Sequence, residues 1–88
     1  MRVANQIEQK LQDAFKPQML KVTDESHQHA GHAGARPEGE SHFHVHIVAE
    51  YFNGMSRVKR QQAIYKILIN EMQTDIHALA LLVKGSDE

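Results

Sequence analysis

The chain has 88 residues, a formal net charge of −1 and no cysteine. Its length supports one small core, and its near-neutral charge gives it no general attraction to phosphate backbones or acidic membranes. The lack of cysteine excludes disulfides, thiolate nucleophiles and thiolate metal ligands supplied by the chain itself.

Val3, Ile7, Leu11, Ala14 and Phe15 recur at helical spacing with polar residues between them, which predicts an amphipathic helix with one buried face. Pro17 disfavours helical geometry at Lys16 and should end it. "QMLKVTD" alternates, with Leu20 and Val22 on one face and Lys21 and Thr23 on the other, and reads as a strand. Residues 24–41 form a long connection punctuated by Gly31, Gly34, Pro37 and Gly39; loops of that length are often functional. A second strand follows, with Phe43, Val45, Ile47 and Ala49 on one side and His42, His44, His46 and Val48 on the other.

"FNGMS" is a turn in which Ser56 is placed to cap a helix. Val58, Ile64, Tyr65, Leu68 and Met72 form the inner stripe expected of that helix, with Lys59, Arg60, Lys66 and Glu71 outside. "QTDI" breaks it, "HALALLV" reads as a last strand, and residues 84–88 as a polar tail. The prediction is a single α+β domain over residues 1–88, ordered helix, two strands, helix, strand. Two helices of this size cannot cover both faces of three strands, so both should pack on one face. No apolar run is long enough to span a bilayer, and the N-terminus lacks a signal-like apolar core. The expectation is a soluble, cytoplasmic protein without membrane contact.

Six of the seven histidines lie between Asp24 and Val48, and the seventh is His77. If the first two strands form a hairpin and a right-handed crossover makes the third parallel to the second, His77 lies at the sheet end that carries the long loop. Imidazoles from distant segments, among them His29 and His32, would meet there. The alternatives are a core-edge His77 bonded to a carbonyl and a solvated loop. His42, His44 and His46, about 6.5–7 Å apart along one strand face, can also chelate a metal, although such a site is open and prone to adventitious binding. Ser41 and His42 suggest no catalytic pair, because adjacent strand residues point to opposite faces; with no phosphate loop or paired carboxylates, no enzyme is expected.

The segments "DESHQHAGHAG…GESHF", "FNGMSRVKRQQAIYKIL" and "IHALAL" resemble, in order and separation, those of the BolA-like family, over Ile7 to Val83. The resemblance implies a type-II KH-like α-β-β-α-β fold with a three-stranded mixed sheet. It also implies a non-enzymatic adaptor that forms a heterodimer with a monothiol glutaredoxin and shares a 2Fe–2S cluster with it, in iron homeostasis or cluster trafficking. The glutaredoxin cysteine and a glutathione thiolate would hold one iron; the isolated chain would bind no cluster. This chain's implied metal ligands are His77 and, in the histidine-loop subclass, His29, with His32 and His42 as alternates. Imidazole ligation raises the potential of such a centre and makes it proton-sensitive, so the cluster should be held less firmly as pH falls through the histidine range. The family's other role is transcription regulation through a helix-turn-helix-like segment, here with Arg57, Lys59, Arg60 and Lys66 as candidate DNA contacts. Where the family commonly has Arg-His-Arg, this chain has Arg60, Gln61 and Gln62.

Overall fold

A computed structural model describes residues 2–25 and 41–88. The elements are α1 (Arg2–Phe15), β1 (Met19–Asp24), β2 (His42–Ala49), a 3₁₀ turn (Glu50–Phe52), α2 (Arg57–Ile67), α3 (Ile69–Thr74) and β3 (Ala78–Gly85). Most of the loop assigned to 24–41, with His27, His29 and His32, lies outside the described residues.

The sheet is mixed and ordered β1-β2-β3. β1 runs antiparallel to β2, with Leu20 opposite Ile47 and Asp24 opposite Phe43. β2 runs parallel to β3, with His42 opposite Ala78 and Val45 opposite Leu81. The expected hairpin and crossover are both present, and the helices cover one face. Val3, Ile7, Leu11 and Phe15 of α1 are buried against Phe43, Val45, Ile47, Ala49, Ile64 and Leu68. Leu20, Val22, Leu79, Leu81 and Val83 pack partly buried against that core. Phe15 meets Tyr51 and Phe52 with ring centroids 4.8 and 4.9 Å apart, which closes the core beside the 3₁₀ turn. Ala14, assigned to the buried stripe, is exposed.

Helix α1 stops where Pro17 requires. Lys16 adopts a left-handed φ of 49°, and its N–H donates to the Gln12 carbonyl. Ser56 caps α2, its hydroxyl accepting from the Lys59 N–H at 3.2 Å. The expected single second helix is instead two: Leu68, at φ −98° and ψ 19°, separates α2 from α3.

The inner stripe of that helix also needs correction. Ile64 and Leu68 are buried and Met72 partly so, but Val58 and Tyr65 are exposed. Seven residues apart, those two share a face rotated about 100° from Ile64. Two charged residues assigned outward turn inward instead. Glu71 is buried and its carboxylate lies 2.8 Å from Lys10 Nζ of α1. Arg60, four residues before Ile64, reaches back to β3 and donates to the Val83 carbonyl at 3.1 Å. The polar tail is shorter than expected, since β3 includes Lys84 and the buried Gly85. No helix among the described residues is long and apolar enough to cross a membrane.

Candidate functional site

The start of β3 is positioned by the end of α3. Ile76 is buried, and its N–H donates to the Glu71 carbonyl at 2.8 Å, so the chain leaves the core immediately before His77. The His77 N–H then donates to the Ser41 carbonyl at 2.7 Å, and the Ala78 N–H to the same oxygen at 3.3 Å. On the other side of β2, the Glu25 N–H donates to the His42 carbonyl at 2.7 Å. Residues 25 and 41, which bracket the long loop, and residue 77 are thereby tied to one rim of the sheet.

His77 is exposed there, so the core-edge alternative does not hold. Its parity with Leu79 and Leu81 misleads because the strand begins only at Ala78, and residue 77 sits in the bend before it. His42 is buried to 8% exposure, unlike the open position expected of it. Its ring lies nearly parallel to that of His77, with centroids 6.1 Å apart and planes inclined by 19°. Ser41 is fully buried and its Oγ lies 2.8 Å from His42 Nδ1. Ser41 and His42 thus meet, although neighbouring strand residues point to opposite faces. Ser41 precedes the first residue of β2, where strict alternation does not yet apply.

The hydrogen bond to Nδ1 orients the His42 ring. His44 and His46 stand further along β2, opposite Thr23 and Lys21, and are half-buried rather than fully open. They share the face of His42, but among the described residues no three metal-ligating side chains gather closely enough to hold an ion alone. The rim thus presents nitrogen donors and no sulfur. A metal or cluster held here would need further ligands from the loop or from a partner.

On α2 the candidate nucleic-acid residues divide. Arg57, Lys59 and Lys66 are exposed on α2. Arg60 is not: its side chain retains 12% exposure and its guanidinium lies 2.6 Å from the Glu88 carboxylate. The Gly85 N–H bond holds the Glu88 carboxyl below the usual glutamate range; desolvation opposes it, and the Arg60 hydrogen bond with the Arg60 and Lys84 charges adds to the lowering.

Together these features define a small α+β protein on a three-stranded mixed sheet, with imidazoles gathered at one edge and cations on its second helix. The chain belongs to the BolA family: residues 11–88 match the model described as BolA-like protein. It is 42% identical over 87 residues to the chloroplastic protein BOLA1 of Arabidopsis thaliana, covering 97% of this chain and 54% of that relative. It is 43% identical over 81 residues to the DNA-binding transcriptional regulator BolA of Escherichia coli, covering 92% and 73%. The solved structure of BolA1 from Arabidopsis thaliana superposes with a TM-score of 0.86 at 37% identity, over 98% of this chain and 94% of that one. The chain thus spans about half the length of its plant relative.

Proposed function

We propose that this chain is a non-enzymatic adaptor that binds a monothiol glutaredoxin and completes the ligation of a shared 2Fe–2S cluster through His77. The observation that carries this reading is the exposed His77 imidazole, held by its own backbone on the rim that bears both ends of the long loop. A cysteine-free chain can contribute only nitrogen or oxygen to such a centre, and the rim offers imidazole. The donor set therefore fits the group. His77 would be one ligand; His29 is the proposed second, with His32 and His42 as alternates. Bound there, the cluster would supply an electron-transfer or transferable iron–sulfur unit, at a higher potential than all-thiolate ligation gives. The chain's own contribution is to hold the His77 imidazole at an accessible edge, beside a buried His42 ring oriented by Ser41.

The test is a visible absorption and circular dichroism titration of cluster-loaded glutaredoxin with this protein. The expected outcome is a new spectrum that develops at a 1:1 ratio. His77→Ala should abolish most of the change while His44→Ala leaves it intact. An unchanged spectrum together with no complex on size exclusion would defeat the proposal. The second ligand follows from His29→Ala, His32→Ala and His42→Ala in the same assay.

A second reading, transcription regulation by direct DNA contact, draws on the name of the bacterial relative and on the exposed cations of α2. Under it, Arg57→Glu with Lys59→Glu removes salt-sensitive retention of a promoter fragment, and single changes reduce the salt slope by about 1 each. Arg60→Glu is a poor probe, because it would also break the bonds to Val83 and Glu88.

A further inference from the structure

A second built site lies at the far end of β3, about eight strand residues and roughly 25 Å from His77. A cleft of about 480 Å³ opens between the start of α2 and the end of β3. Met55, Leu81 and Val83 line it as an apolar wall, and Arg57, Arg60 and Lys84 bring cations. Glu88 lies in the same cleft, its Oε1 accepting from the Gly85 N–H at 2.5 Å and from the Arg60 guanidinium at 2.6 Å.

We propose that this cleft binds a phosphate monoester and that Glu88 is its intramolecular stand-in. The tail is held in place by specific contacts. Asn53 Nδ2 donates to Ser86 Oγ at 3.0 Å, and Asn53 Oδ1 accepts from the Asp87 N–H at 3.4 Å. A Cβ at residue 85 would crowd that Oδ1 and the Asn53 backbone, so a larger residue here would push Asn53 out of its contacts with the tail. The arrangement is a backbone N–H and a guanidinium converging on one oxyanion, a donor set that recognises carboxylate or phosphate.

Two observations favour phosphate over the carboxylate already there. Arg60 Nε is buried with no partner among the described residues, so the guanidinium has a donor that Glu88 does not use. A tetrahedral phosphate offers further oxygens to the same fork. Charge is the second. Three cations line the cleft against one carboxylate, and the excess matches the nearly dianionic state of a monoester rather than the single charge of a diester. The apolar wall would receive the ligand's organic body.

The experiment records the Gly85 amide of the full ¹⁵N-labelled chain during titrations at constant ionic strength, with chloride as the control. Inorganic phosphate should shift that amide weakly in the native chain, and with about tenfold lower half-saturation in Glu88→Ala, once the competing carboxylate is gone. Adenosine monophosphate should bind at least as tightly as inorganic phosphate, and dimethyl phosphate about tenfold more weakly than either. A chloride-like response in Glu88→Ala, or equal binding of the diester, overturns the proposal. Should the Gly85 signal be lost in Glu88→Ala, Arg60→Lys in the otherwise native chain decides. Its phosphate response must fall, because the fork is gone while the charge stays; an unchanged response rejects the site.

Discussion

At the scale of single residues, charged and polar side chains are where physical context departs most from type. Ser41 is fully buried beside His42, so Ser41→Ala removes a buried hydrogen bond and should cost about 1 kcal/mol in urea unfolding. It should also loosen the His42 ring, seen as a shift of the His42 imidazole resonances with little change at His46. Glu88 gives a pH prediction whose sign follows from its lowered pKa. The unfolded chain binds a proton at this carboxylate more readily than the folded chain does. Its contribution is therefore fully present above the ordinary glutamate range and is lost as pH falls through the folded value. The stabilities of the native chain and Glu88→Gln should differ at neutral pH and converge in acid. A gap that stays constant with pH would show that the charge on Glu88 is immaterial.

At the scale of elements, the second helix shows how a phase error propagates. Val58 and Tyr65 are apolar enough to be assigned inward, yet Ile64 and Leu68 set the buried direction, and Arg60 and Glu71 lie closer to it. Helical angle alone places Arg60 near the core, although its charge points to an outward position. Glu71 is admitted because Lys10 of α1 meets it. Lys10→Met should destabilise by about 1–3 kcal/mol by leaving that carboxylate buried without its cation, and adding Glu71→Gln should recover part of the loss. The caps were easier to read, because they depend on a few adjacent residues. Ser56→Ala should cost about 1 kcal/mol by thermal or urea unfolding.

At the scale of the whole molecule, one core of helices on a three-stranded sheet supports both ends of β3. The helix-facing residues of β2 bear most directly on that core. Phe43→Ala should cost about 3–5 kcal/mol, a large share of the 5–15 kcal/mol typical of a small domain. It should loosen the histidine rim and the Gly85 turn together, whereas His77→Ala should leave the Gly85 amide unmoved. That contrast separates loss of fold from loss of one site.

What the amino-acid order determined by itself was whatever depends on near neighbours. The two periodicities, the Pro17 stop, the Ser56 cap and the lack of thiolate ligands all follow from adjacent residues or from composition. The hairpin and the parallel crossover followed from chain geometry, which has few right-handed solutions. Only the tertiary structure decided which side chains meet across the chain. It set His77 against His42 and Ser41, joined Lys10 to Glu71, and brought Arg60, Gly85 and Glu88 to one oxyanion position. Those meetings depend on strand register and helix phase at ångström resolution, and a pattern of apolar and polar residues carries neither.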